Sequence, residues 1–432
     1  MKLTRFALLL FFISQATFAQ KINKLIKESE VNRIISTLAS DDMMGRDSRQ
    51  PQQIEKATAF IANEFTKIGL KPLKGLNGFR QEFPVTKIEG FEKAEIIING
   101  QVIPKDKFVL MSDNEEINWS SNIPVVIVGK DDNFSPNQYM KDSTNKIIAV
   151  DMAHASKFAG IQRFFNRTRI LTSSSNKMAG NILFVLGINS VDSYAIKIKQ
   201  RKEAFKMANV AGMIPGKSKA DEIVVFSGHY DHLGFQKPVE GDSIANGADD
   251  DASGTTAMIA LASYFKKLKN NERTLIFVAF TAEEIGGFGS RYFSQQLDAD
   301  KVVAMFNIEM IGKASKWGIN SAFITGFERS DFGQILQKNL QGTAFTFHPD
   351  PYPQQNLFYR SDNATLARLG VPAHTISTDQ IDSDKLYHSV NDEVESLDMQ
   401  NIVATIRAIA LSSRTIVAGT DTPTRIDKST VK

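Results

Sequence analysis

Cysteine is absent from the 432 residues. That excludes disulfides, thiolate metal sites and cysteine nucleophiles, and it leaves His, Asp and Glu as the strong metal ligands available. Excess charge of either sign is lacking too. The formal net charge is +3, and an amino-terminal leader carrying Lys2 and Arg5 takes two positive charges with it, leaving +1. Such a balance gives no reason to expect nucleic acid or an anionic membrane as partner. No apolar run beyond the leader approaches the length of a membrane span, and there is no internal repeat or low-complexity tract. The leader itself, Met-Lys-Leu-Thr-Arg, then the apolar run Phe6–Ile13, then Thr17-Phe18-Ala19, reads as a secretory signal peptide over residues 1–19. The mature protein is expected to be soluble and exported, to periplasm or medium.

What is there has three textures. Residues 20–92 carry two helical patterns. Ser29 is placed to cap the first, with Val31, Ile34, Ile35 and Leu38 at helical spacing. The second opens at Pro51, buries Ile54, Ala57, Ile61, Phe65 and Ile68, and stops at Gly69 with a left-handed cap. Residues 93–206 turn to short β-like runs, EIIINGQVI, IPVVIVG, KIIAVDM and NILFVLG, with Asn99-Gly100 suited to a hairpin, and read as an inserted, mostly β domain. His154 stands alone there and is expected to be structural. Over 207–418 buried apolar runs alternate with amphipathic helices, which implies an α/β domain in which a mostly parallel mixed sheet is covered by helices on both faces. NVAGMIPG and EIVVFSG, on either side of the turn-rich Pro215–Asp221, are expected to be neighbouring antiparallel strands. The polar tail 419–432 is expected to be disordered.

The stretch Gly228–Gly254 organises the rest. The run Ile223–Phe226 stops at Ser227-Gly228, so His229 and Asp231 emerge where a strand ends, and with one residue between them they point the same way. An imidazole so placed binds a cation through one nitrogen while a carboxylate holds the other N–H. Asp249, Asp250 and Asp251 crowd three carboxylates ahead of a helix, where a divalent cation would relieve their repulsion. Glu283-Glu284, Glu309 and His388 each lie past a further buried run, at the strand ends where ligands of open α/β sheets gather. Singly each has a plain reading, as a solvated glutamate or a packed histidine; together they form a candidate two-metal site.

HYDHLG, GADDDASGT, FTAEEIGGFGS, NIEMIG and YHSVND, in this order, resemble the zinc metallo-exopeptidases typified by secreted bacterial leucyl aminopeptidases, a family that includes glutamate carboxypeptidase relatives and glutaminyl cyclases. The resemblance spans roughly 208–415, takes in LASDDMMGR and IANEFTKIGLKP near the amino end, and extends loosely to a protease-associated domain for the insert. It implies a three-layer phosphorylase/hydrolase-like zinc peptidase fold and two Zn²⁺ per chain. Asp250 would bridge them, His229 and Glu309 would bind one, and Glu284 and His388 the other. Glu283 would be the general base, Asp231 would orient His229, and Tyr387 would donate to the oxyanion. Glu309 departs from the Asp that many members carry, and its additional methylene moves the carboxylate. His232 and His374 are expected to be structural. His348 sits in a loop able to line a pocket, and Ser361 or Asp362 should cap a helix. The implied function is hydrolysis of amino-terminal residues from peptides, with a one-zinc glutaminyl-cyclase-like transferase or a carboxypeptidase, with Arg360 aimed at the substrate carboxylate, as alternatives. Nothing in the residues sets side-chain preference or oligomeric state.

Overall fold

The structure, a computed structural model, describes residues 22–140, 143–173 and 178–431. The leader over 1–19 lies outside the described residues. No helix among them is long and apolar enough to cross a membrane. The chain divides into two compact units, one formed by the segments up to Phe83 and from Met207 onward, the other by Pro84–Lys206.

In the first unit we label strands β1 (Tyr194–Ile214, whose carboxyl end belongs here), β2 (Lys219–His229), β3 (Arg273–Phe280), β4 (Val302–Ile308), β5 (Ser321–Ile324), β6 (Thr346–Pro349) and β7 (Ala373–Ser377). The helices are α1 (Glu28–Leu38), α2 (Pro51–Ile68), α3 (Gly254–Leu268), α4 (Phe288–Gln295), α5 (Phe332–Asn339), α6 (Asn363–Ala367) and α7 (Met399–Ser412). The sheet runs β6-β5-β7-β4-β2-β3-β1. The central strands β7, β4, β2 and β3 are mutually parallel, while β1 pairs antiparallel with β3 and β5 with β7. This is the expected mixed, mostly parallel sheet. The neighbouring pair expected from NVAGMIPG and EIVVFSG is a misreading: β3 lies between β1 and β2 and pairs with both. The run Leu275–Phe280 is apolar on both faces, so it takes an interior slot that a direct β1–β2 pairing would deny it.

Alternation along the central strands feeds two cores. Val224, Phe226, Phe277 and Phe306 bury one face against α1, α2, α3, α5 and α7. Val225, Ile276, Val278 and Met305 bury the other against Phe293 of α4 and Leu366 and Ala367 of α6. Helix α2 starts with Pro51, and Gly69 closes it at φ 79°, its N–H donating to the Phe65 carbonyl. Helix α1 begins one residue before Ser29, after Lys27, so Ser29 is not its cap.

The tail is a second correction. Arg273, wholly buried, donates to the Ile416 and Asp421 carbonyls, Asp331 accepts from the Thr424 N–H at 2.7 Å, and Ile426 is 2% exposed in the second core. A polar composition concealed one apolar anchor and one buried guanidinium that hold the segment.

The second unit has a four-stranded sheet in the order Phe108–Met111, Ile182–Leu186, Lys146–Val150, Val125–Val128, the last three parallel, with a helix at Ala155–Phe165. Asn99 (φ 51°) and Gly100 (φ 76°) form the expected tight hairpin, with Ile98 opposite Gln101.

Candidate functional site

The parallel strands β2, β3, β4 and β7 finish at one edge of the sheet. There His229 ends β2, Glu283 and Glu284 follow β3, and Glu309 follows β4. Between β2 and α3 the chain winds through the turn Ala248–Ser253, entered by Gly247 at φ 55° and containing a cis Asp250–Asp251 peptide. This loop presses onto the strand ends. A Cβ on Gly254 would lie 2.0 Å from the Ile308 carbonyl oxygen, so only glycine allows the approach.

Asp250 directs its two oxygens to two groups. Oδ1 lies 3.2 Å from His229 Nε2, in a group with Glu309 whose ligand atoms are all within 4.8 Å of one another. Oδ2 lies 3.3 Å from His388 Nε2, which is 3.1 Å from Glu284 Oε2. Glu283 lines the cavity beside them. The structure thus gathers all of His229, Asp250, Glu283, Glu284, Glu309 and His388. Tyr387 stacks on His388, ring centroids 3.8 Å apart, with its Oη 3.5 Å from the Arg360 guanidinium.

Asp231 serves differently from the simple expectation. Its backbone carbonyl accepts from His229 Nδ1 at 3.1 Å, its carboxylate is 3.8 Å from that nitrogen, and Oδ1 accepts the Glu283 N–H at 3.1 Å. It therefore ties the β2 end to the β3 end. His232 was expected to be structural alone, yet its Nδ1–H donates to Glu284 Oε1 at 2.7 Å and it forms a candidate ligand group with Asp250 and Glu284. Its place three residues after His229 was the available signal.

The frame beneath is built of buried polar groups that the sequence reading passed over. Asp392 accepts the N–H groups of Asp249 and Asp250, while Asp251 accepts those of His229, Gly254 and Met310. Arg46, wholly buried, donates to the carbonyls of Leu38, Tyr230, Asn246 and Gly247 and so staples the loop to the β2 end. Asp249 accepts the Gly312 N–H at 2.7 Å. Neither Ser361 nor Asp362 caps α6 through its side chain. Ser361 Oγ accepts from Asn307 at 2.6 Å, and both Asp362 oxygens are buried without a hydrogen-bond partner. His374 is buried between Ser330 and the Thr325 carbonyl, and His348 stacks on Trp317 at 4.0 Å.

The electrostatics show a shortage of positive charge. Burial pushes Asp231 and Glu309 up to about 7 and Glu283 well above the usual carboxylate range. Burial opposes ionisation of Asp250 as well, but the His229 and His388 imidazoles beside it outweigh that and hold the carboxyl well below its ordinary value. His229 Nε2 and His232 Nε2 are buried without hydrogen-bond partners. Orphaned imidazole nitrogens facing crowded carboxylates are the N/O donor set that divalent ions of zinc's class take, so the residues fit two such ions sharing Asp250.

The cavity beside this centre has a volume of about 60 Å³ and opens to solvent. Arg360 stands in its wall, as do the apolar Met310, Phe323 and Leu357.

Comparison with known proteins gives a consistent picture. The family model described as Peptidase family M28 matches residues 209–412. Leucine aminopeptidase 1 of Pyrenophora tritici-repentis is 28% identical over 268 residues, which are 58% of this chain and 66% of that one. Aminopeptidase YwaD of Bacillus subtilis is 27% identical over 175 residues, 36% of each chain. The matches thus span about a third to two thirds of these relatives' length. Among solved structures, the aminopeptidase from Aneurinibacillus sp. strain AM-1 superposes with a TM-score of 0.54 at 17% identity, covering 95% of this chain and 97% of that one. The zinc aminopeptidase BSAP from Bacillus subtilis gives 0.55 at 16% identity, covering 94% and 97%. At these identities the structures show the shared fold.

Proposed function

We infer, from the premise that this chain belongs to peptidase family M28 through residues 209–412, that it is a zinc-dependent aminopeptidase releasing amino-terminal residues from peptides. The observation that carries this reading is the disposition of Asp250, one oxygen toward His229 and the other toward His388, in a cavity wall shared with Glu283. His229 and Glu309 would hold one zinc, Glu284 and His388 the other, and Asp250 both. Two zinc ions there would supply Lewis acidity to the scissile carbonyl and to the attacking water.

This chain's own residues do the rest. Glu283, raised by burial, takes a proton from the attacking water and delivers it to the leaving amine. Tyr387, held against His388 and Arg360, donates to the oxyanion of the tetrahedral intermediate. His232 aims the Glu284 carboxylate, and Asp231 fixes both His229 and the start of the Glu283 turn. Export rests on the leader over 1–19, and a protease-associated-like character for the Pro84–Lys206 unit rests on resemblance alone.

The test is elemental analysis of the purified protein together with hydrolysis of aminoacyl-nitroanilides by wild type and Glu283→Gln. About two zinc per chain is expected, with activity falling roughly 10²- to 10⁴-fold in a variant that keeps its metal. One metal and no hydrolysis of any amino-end substrate sinks the reading.

A further inference from the structure

The cavity that holds the candidate ligands is lined by one further acid. Asp379, two residues beyond β7, lines the cavity, is 4% exposed, and has an Oδ1 without any hydrogen-bond partner. Its backbone N–H donates to Ser377 Oγ at 3.1 Å, which fixes its place in the wall. Behind it stand Asp249 and Asp384, with oxygens of all three within 4.8 Å of one another. Lys313 is the cation opposing them, 2.6 Å from Asp384 and 3.3 Å from Asp249. One ammonium against three carboxylates leaves the corner short of positive charge, and burial together with Asp249 and Asp384 pushes the Asp379 carboxyl up to about 8. Lys313 is engaged with Asp249 and Asp384, and the Asp379 carboxyl shares a hydrogen bond with Asp384, so Asp379 Oδ1 is the oxygen of this corner left without a partner in the cavity wall. The same cavity is lined by the apolar Met310, Phe323, Leu357 and Ile381, with Arg360 also in its wall. A long aliphatic stem ending in a cation matches such a lining, because its methylenes lie on the apolar side chains while its head meets the acid.

We propose that Asp379 selects substrates whose amino-terminal residue is lysine or arginine, its carboxylate receiving the side-chain ammonium or guanidinium. The proposal rests on the aminopeptidase reading above and gives it a substrate class.

The experiment compares kcat/KM of the zinc-loaded protein on lysyl-, arginyl-, leucyl- and phenylalanyl-nitroanilides, in wild type and Asp379→Asn. Calorimetric binding of free L-lysine and L-leucine forms a second arm. A basic-over-apolar ratio above about tenfold is expected in wild type, falling by about tenfold or more in the variant, with lysine binding tighter than leucine. A wild type that turns over leucyl or phenylalanyl substrates as well as basic ones overturns the proposal without need of any variant. Equal losses on lysyl and leucyl substrates in Asp379→Asn would place the α-amino group on Asp379 and overturn it too. If no aminoacyl substrate is hydrolysed, the aminopeptidase reading fails separately, and equal binding of lysine and leucine would then overturn the role of Asp379.

Discussion

Both units of this chain contain parallel strands with a helix packed beside them, and they differ in what happens where the strands end. In the unit Pro84–Lys206, the strands Val125–Val128, Lys146–Val150 and Ile182–Leu186 run into Gly129, Asp151 and Gly187. Asp151 and His154 find protein partners there. Asp151 Oδ1 accepts the Ala153 N–H at 2.8 Å, and His154 Nε2 bonds the Gly129 carbonyl at 2.9 Å. In the other unit the equivalent ends carry His229, Glu283, Glu284 and Glu309, buried or half-buried, with imidazole nitrogens left orphaned. The same supersecondary arrangement is therefore satisfied internally in one place and left short of partners in the other. The difference is unsatisfied buried charge, which a fold retains only where a ligand supplies the missing partner.

Four measurements would break or sharpen that contrast. The largest effect is expected for Asp250→Ala, which should cost most of the bound zinc and lower turnover by on the order of 10³-fold or more, while His154→Ala leaves both in place. Metal analysis and nitroanilide assay on the two variants check it, and equal losses would erase the distinction. Next, Arg46→Met should destabilise the unit that carries the site by roughly 5 kcal/mol, since four carbonyls lose a buried donor at once; denaturant unfolding reads it. Phe184→Ala, in the core of the other unit, should cost about 4 kcal/mol in that unit's unfolding without changing zinc stoichiometry.

The smallest effect concerns pH. His374 is wholly buried, and burial lowers it to about 4, whereas an unfolded histidine titrates near 6.5. The unfolded chain thus binds the proton first as the medium is acidified. Stability from this group is intact above about pH 6.5 and falls by about 3 kcal/mol as pH drops through 4. Unfolding of His374→Gln across pH 4 to 7 should show a correspondingly flatter slope; an unchanged slope would remove His374 from the account.

The sheet was readable because buried strands leave long apolar runs, and so were the helices with a one-sided stripe such as Ala57, Ile61 and Phe65. Strand order was not. Whether β1 pairs with β2 or β3 depends on which run is apolar on both faces, and both looked eligible. The tail misled for a related reason, since Ile426 is a single apolar residue and Arg273 finds its carbonyls 143 and 148 residues away.

A candidate metal site was legible from local order, because a buried strand has to end and the polar residue that ends it stands at the edge where a cation can be held; the ligand set itself came from the family resemblance. His229, Glu283, Glu284 and Glu309 belong to that class, while Asp250 lies in the turn Ala248–Ser253 and His388 in the polar segment after β7. Tertiary structure decided the rest. It turned His232 toward Glu284, set Asp392 and Arg46 under the aspartate loop, and brought Asp379 to the cavity wall with Asp249 and Asp384 behind it. Those roles come from hydrogen bonds and desolvation between segments far apart in the chain, and no periodicity or spacing carries that information.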